Sequence, residues 1–276
     1  MEFLQFAQAH GLIIREIEYG RWCRCPTEDH PRSTNGAFKH LGNIAFLQNH
    51  ATMIAPAIWH PEHESEICIN PLEIAKRRQR AERELAENRI KAANKAAWII
   101  NQCSVEPHAY LDSKGFPEAK GMVWMRSETD NILVIPMRVG RNIVGVQMID
   151  RDGEKKFLFG QRCDLAEYSI DAKGTHIFCE GYATGLSIRE CLSAMKLRYH
   201  IHICFSAKNM EKMAKAIGRG IVIADSDESG TGERVAKAIG LPYWISETLG
   251  EDFNDYWRKV KTMQAGFELK KLLTRI

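Results

Sequence analysis

The sequence predicts an α/β protein whose second half is a parallel β-sheet flanked by helices. Short apolar runs at 175–179, 201–205, 221–224 and 243–245 alternate with helix-like segments at 183–195, 210–217 and 232–239. Such runs read as strands buried on both faces. Strand–helix alternation with short links builds right-handed parallel units. Two of these runs end in carboxylates at glycine-containing turns. One is His176-Ile177-Phe178-Cys179-Glu180-Gly181, and the other is Ile221-Val222-Ile223-Ala224-Asp225-Ser226-Asp227-Glu228-Ser229-Gly230. Ligand sites of open parallel sheets lie at the carboxyl ends of strands. Glu180, Asp225 and Asp227 are therefore candidates to converge. Clustered carboxylates repel one another without a cation, and hard divalent cations, Mg2+ above all, prefer such oxygens. Acidic residues after strands also serve as turn formers and helix N-caps. The two motifs together, in this order, favour metal.

The earlier elements follow in chain order. Residues 1–70 read as a small module: a helix with Phe3, Phe6 and Ala7 on one face, ending at Gly11, then strand-like runs near 21–25, 36–41 and 44–48. Cys23-Arg24-Cys25-Pro26 with His30 invites a zinc reading, with Cys25 and His30 as the first ligand pair. Structural zinc needs four ligands in two pairs, and the hairpin at 43–50 contains no cysteine. Zinc is therefore not expected. Arg24, Arg32 and Lys39, with the aromatics Trp22 and Phe38, are candidates to meet single-stranded DNA, and core packing explains the aromatics equally well.

Residues 71–103 read as a helical connector with Asn70 as N-cap and Pro71 in the first turn. Lys76, Arg77, Arg78, Arg80, Arg83, Arg89, Lys91 and Lys95 outnumber Glu82, Glu84 and Glu87 there. That stretch suits phosphate contacts or simply a solvated helix. Residues 104–172 read as an α+β subdomain with a hairpin of 132–137 and 143–149 and a third strand at 155–159. Residues 173–257 hold the parallel sheet, and 258–276 form a C-terminal helix.

Composition sets the outer bounds. The 276 residues are 45% hydrophobic and 26% charged, with net charge +3, as in ordinary globular proteins. No apolar run reaches membrane-spanning length. The amino terminus shows no signal-peptide pattern, so a cytoplasmic location with reduced cysteines is expected. A calcium EF-hand loop starting at Asp225 needs a glutamate at its twelfth position, where Ala236 stands. A haloacid-dehalogenase-type phosphatase usually places Thr or Val where Ser229 stands. Ser229-Gly230-Thr231-Gly232 precedes a helix N-terminus, a plausible phosphate contact, but lacks a Walker lysine. Ser206, Lys208 and Asn209 follow the run ending at Phe205 and point to the same sheet edge, as candidate nucleotide contacts.

The ordered set of motifs resembles the Toprim domain of bacterial-type primases, topoisomerases and some nucleases. Glu180-Gly181-Tyr182-Ala183-Thr184-Gly185-Leu186-Ser187 is similar to the Glu-Gly-Tyr-Ala-Thr-Ala-Leu-Ser run of primases from conjugative plasmids and phages. Asp252-Phe253-Asn254-Asp255 resembles the Asp-Phe-Asn-Asp segment closing that domain. His108-Ala109-Tyr110-Leu111-Asp112-Ser113-Lys114-Gly115 resembles its His-Pro-Tyr-Leu-x-x-Lys-Gly, and Gly145 to Phe157 echoes its Leu-Gln-x-Ile … Gly-x-Lys-x-Phe hairpin. Pro31 to Phe38 resembles a stretch of relatives whose zinc ribbon has lost its ligands.

The resemblance implies a Toprim sheet behind an α+β subdomain and a zinc-ribbon-like, metal-free module. It implies a DNA primase of a mobile genetic element that makes RNA primers by Mg2+- or Mn2+-dependent nucleotidyl transfer. Glu180, Asp225 and Asp227 would be catalytic and hold metal, with Asp252 and Asp255 completing the acidic patch. Lys114, Lys120, Arg138 and Lys156 would bind template or nucleotide phosphates. Single-stranded DNA and NTPs are the implied partners, with a replicative helicase and a single-strand-binding protein, since the chain has no helicase P-loop. The rival readings are a Toprim nuclease and a non-catalytic single-stranded DNA-binding accessory protein. The length leaves little room for the gate domains of a type IA topoisomerase.

Overall fold

A computed structural model describes residues 1–61, 71–127, 130–171 and 173–275. The fold is mixed α/β, in two compact units, Met1–Ala86 and Glu87–Ile276. The expected N-cap Asn70 lies outside the described residues. Among the described residues no helix is long and apolar enough to cross a membrane.

The first unit contains α1 (Phe3–Ala9) and strands β1 (Cys23–Cys25), β2 (Gly36–His40), β3 (Ala45–Asn49) and β4 (Ala57–Trp59). The strands form one antiparallel meander in chain order. A capping box of Glu2 and Gln5 opens α1, and Gly11 at φ +72° lets the chain turn away. Phe3 and Ala7 face a core of Leu12, Cys25, Phe38, Leu47 and Trp59. Phe38 belongs to this core, which removes it from any DNA surface, whereas Trp22 is half exposed. Cys25 is also a core residue: a Cβ on Gly36 would sit 2.7 Å from its sulfur, and burial pushes its thiol up to about 11. His30 is exposed, with its ring 3.2 Å from the Asp29 carboxylate. The strand β4, following Pro56, was not expected; it closes the core through Trp59, whose indole donates to the Met1 carbonyl at 2.9 Å.

Helix α2 (Pro71–Asn101) carries the chain from one unit into the next. Its Lys76, Arg78, Arg80, Arg83, Arg89, Lys91 and Lys95 are exposed, and only towards the end do Ala92, Ala96 and Ile99 become buried.

The second unit begins with β5 (Ser104–Pro107), α3 (Ala109–Ser113), β6 (Lys120–Met125), β7 (Asn131–Val139), β8 (Asn142–Ile149) and β9 (Lys155–Phe157). These strands form an antiparallel sheet in chain order. The β7–β8 hairpin falls where the sequence places it; β5 and β6 are additional. Ile132, Val134 and Val146 pack on Ala96 and Ile99 of α2. Leu133, Ile135 and Ile149 enter the larger core with Tyr110, Leu111 and Phe116. That two-sided burial explains why β7 is apolar from Ile132 to Met137.

The remaining elements are β10 (Tyr168–Ile170), β11 (Thr175–Cys179), α4 (Tyr182–Ala194), β12 (Tyr199–Ile203), α5 (Ala207–Ile217), β13 (Ile221–Ile223), α6 (Thr231–Ile239), β14 (Tyr243–Trp244) and α7 (Phe253–Leu273). Their sheet has the order β10-β12-β11-β13-β14. It is parallel except for β10, which runs antiparallel to β12. Alternation along the strands divides the faces: Ile177, Cys179, Ile201 and Ile203 pack with α4 and α7, while Phe178, Cys204 and Val222 pack with α5 and α6.

Two expected boundaries change. Residues 168–170, placed before the sheet by the sequence, supply its edge strand. The expected C-terminal helix at 258–276 is not a separate one: residues 258–273 continue α7, bent at Lys261 with φ 68°. Its Ala265, Leu269 and Leu272 share one core with Cys191 and Leu192 of α4. Fully burying such side chains is worth roughly 1.5–3 kcal/mol for each large one.

Candidate active site

The central strands set the site. Cys179 pairs with Ile223 across β11 and β13, so Glu180 and Asp225 both emerge just past the carboxyl edge. After β12, the Cys204 and Phe205 amides donate to the Cys179 and Glu180 carbonyls at 2.8 and 3.0 Å. This lacing holds Phe205 at φ 66°, a left-handed conformation that a bulky residue rarely adopts. The Ala207 amide at the start of α5 favours the charged form of the Glu180 carboxylate. Gly185, where the similar primase run has alanine, permits close packing: a Cβ there would sit 2.6 Å from Ile203 Cδ1.

Burial first, then the Asp225 charge, pushes Glu180 up to about 7. Burial and the neighbouring Asp252 push Asp225 up to about 6. Lys155 on β9 opposes both shifts. Asp225 Oδ1 is buried with no hydrogen-bond partner. The Asp225 carbonyl is pinned against α6, since a Cβ on Gly232 would lie 2.0 Å from it.

Asp227 and Asp252 have local work as well. Asp227 Oδ1 accepts the Ser229 hydroxyl at 2.5 Å and the Thr231 amide at 3.1 Å, and Oδ2 accepts the Gly232 amide at 3.1 Å. These bonds hold its carboxyl below the usual range. It thus holds the first two amides of α6 from three residues before the N-cap, which is Gly230. Asp252 caps α7 by accepting the Asp255 amide at 2.9 Å. The Ser226 carbonyl accepts the Gly250 amide at 2.7 Å, drawing the loop before Asp252 to the loop after β13.

Asn254, buried completely, joins three motifs. Its Nδ2 donates to the Lys114 carbonyl and to Ser187 Oγ, each at 2.9 Å. Trp257 stacks on Phe116 at 4.9 Å beside this junction. Lys114 therefore lies next to the start of α7.

The other predicted contacts separate. Lys120 and Lys208 are exposed. Arg138 is half-buried and donates to the Arg141 carbonyl at 3.2 Å. Lys156 pairs with Glu154 at 2.7 Å. Asn209 is a correction: its side chain donates to the Ala166 and Cys204 carbonyls at 2.7 and 2.8 Å and accepts the Leu165 amide at 2.8 Å. The fold consumes its amide and leaves it no nucleotide contact.

A divalent cation fits the Glu180–Asp225 pair, because one Asp225 oxygen is orphaned and both carboxyls stay raised despite Lys155. Among the described residues no trio of these carboxylates has closed to within 4.8 Å. An open arrangement suits Mg2+, which usually keeps several waters and takes one or two carboxylates plus substrate phosphates.

No family model matches the chain, and no curated protein matches it. Among solved structures, it is similar to a chain of the bacteriophage T7 lagging-strand DNA polymerase interacting with primase domains of two gp4 subunits bound to an RNA/DNA hybrid and dTTP. The identity is 14% and the TM-score 0.43, over 62% of this chain and 91% of that one.

Lys155 is the residue sequence reasoning missed, in favour of its neighbour Lys156. Adjacent residues on a strand face opposite ways, so only one of the two can address the acids. The signal was present: in the Gly-x-Lys-x-Phe echo at 153–157 the lysine position is 155. Replacing Lys155 by Ala removes the opposing charge, so protons compete better for Glu180 and Asp225. The pH midpoint of Mn2+ binding, read by titration between pH 5.5 and 8.5, should rise by up to about one unit. Lys156→Ala should leave it in place.

Proposed function

We propose that this chain is a DNA primase of the plasmid or phage type, with a Toprim sheet as its catalytic centre. The observation that carries the reading is the pair Glu180 and Asp225. They stand past adjacent parallel strands, half-buried near Asp252, with one buried unpaired oxygen on Asp225 and Lys155 acting on both. Asp225 would hold Mg2+ or Mn2+, with Asp227, Asp252 and Asp255 around it. The ion, when bound, neutralises triphosphate charge. Glu180, with a proton affinity near neutrality, is suited to take the proton from the attacking 3′-hydroxyl. That oxygen forms a bond to the α-phosphorus of the incoming NTP as pyrophosphate leaves. Lys155 lies where it can orient the phosphates, and Lys114, Lys120, Arg138, Lys156 and Lys208 are candidates along the template and nucleotide path.

The first unit reads as a zinc-ribbon remnant without metal, in which exposed Trp22 and Arg24 stack on and neutralise single-stranded DNA. A helicase and a single-strand-binding protein would prepare the template, in the cytoplasm. Labelled NTPs with single-stranded DNA and Mg2+ test the reading, scored for primers and for template cleavage. Short RNA products are expected. Cleavage without synthesis assigns the site to phosphodiester hydrolysis, and DNA binding without either makes the chain an accessory protein.

A further inference from the structure

His176, His200 and His202 each bring a ring nitrogen within 4.8 Å of the others. His176 and His200 are direct partners across β11 and β12, and His202 follows on the same face. They share that face with Phe178 and Cys204, the side covered by α5 and α6, so they lie within the sheet and not at its acidic edge. Nothing in the proposed chemistry uses them.

The second layer is already built. His202 Nδ1 is held by the Glu167 carboxylate, and His202 is almost wholly buried. His200 Nε2 is held by Ser169 Oγ at 2.7 Å. A carboxylate or hydroxyl on one nitrogen fixes the tautomer and orients the other toward a metal. With these bonds kept, His202 Nε2 and His200 Nδ1 are the atoms left to ligate a metal, the first in exchange for its hydrogen bond to His176. His176 Nδ1 faces the first of them at 2.9 Å. We propose that His176, His200 and His202 form a transition-metal site, for Zn2+ or a similar imidazole-preferring ion, that clamps β11 to β12.

The geometry asks for a small adjustment. Tetrahedral bonds of about 2.0–2.1 Å place two ligand nitrogens roughly 3.3 Å apart, a few tenths wider than the present His176–His202 contact. The rings are partly stacked, His176 against His202 at 18°. His176 and His200, both half-exposed, must therefore turn about χ2, a broad torsion for imidazole. The charges facing the trio are Glu167, Asp171 and Arg219, two anions against one cation. Imidazole nitrogens select Zn2+, Cu2+ or Ni2+ over Mg2+, so the two metal centres would not compete for one ion.

The test uses the full chain without a histidine tag. Co2+ titration followed by visible absorption should show one equivalent with the intense band of a four-coordinate ion, displaced by Zn2+ and not by millimolar Mg2+. The band should persist in Asp225→Asn, which separates this site from the acidic one. His176→Ala and His200→Ala should abolish it. Glu167→Gln should weaken Co2+ binding roughly 10–100-fold while primer synthesis with Mg2+ is retained. Absence of the band in the wild-type chain, or equal Co2+ affinity in the wild-type and Glu167→Gln proteins, overturns the site.

Discussion

Asp225→Asn should abolish primer synthesis, by roughly 10²–10³-fold or more, and at the same time make the metal-free protein more heat-stable at pH 8. Both results come from one carboxylate. Asp225 is half-buried near Asp252 with one buried, unpaired oxygen, and its proton affinity is raised to about 6; that of Glu180 is raised to about 7. The folded chain thus holds more protons than the unfolded chain between about pH 4 and 7. Stability from these groups is present in full below the unfolded values and is lost as pH rises through the folded ones. An amide carries no such penalty. Melting curves without divalent ions should separate wild type from Asp225→Asn and Glu180→Gln at pH 8 and bring them together near pH 4. Added Mg2+ should raise the wild-type Tm at pH 8 and do little for Asp225→Asn. A variant that keeps full synthesis removes the acidic pair from the active centre.

Gly232→Ala should lower Tm by roughly 5–10 °C and suppress synthesis in the molecules that remain folded. The added Cβ would stand 2.0 Å from the Asp225 carbonyl oxygen, far inside contact distance, and the obstacle is backbone. Overpacking typically costs about 1–3 kcal/mol, and each kcal/mol moves Tm about 2–4 °C in a domain of this size. The strand end must yield, and it carries the Asp225 carboxylate. Gly240→Ala provides the control, because a Cβ there meets nothing within 4 Å. It should melt lower only by the strain of its φ of +78° and keep its activity. Equal Tm and activity in Gly232→Ala and wild type would show that the contact is unimportant.

The parallel sheet was legible because apolar runs and carboxylate-bearing turns are local patterns. Glu180 and Asp225 follow from them directly. Asp227 carried two readings in the sequence, metal ligand or turn former and N-cap; its bonds to Ser229, Thr231 and Gly232 close a turn, and the N-cap itself is Gly230. What stayed hidden depended on partners distant in the chain. Asn209 sits at the expected sheet edge, yet bonds to Leu165 and Ala166 turn it inward. The three residues of β10 are too few to announce a strand; they become one only against β12. The histidines alternate visibly at 200 and 202, but their meeting with His176 needs the register of two strands.

The Asn254 junction bears on how this protein is born. Its amide bridges Lys114, 140 residues earlier, and Ser187, 67 residues earlier, and Asp252 and Asp255 travel with it. A ribosome releases chains amino end first, at about 5–20 residues per second. Lys155, Glu180 and Asp225 therefore leave the tunnel seconds before the segment that ties Lys114 to Ser187. A chain interrupted in that interval carries Lys155, Glu180 and Asp225 without the bridge from Asn254 to Lys114 and Ser187.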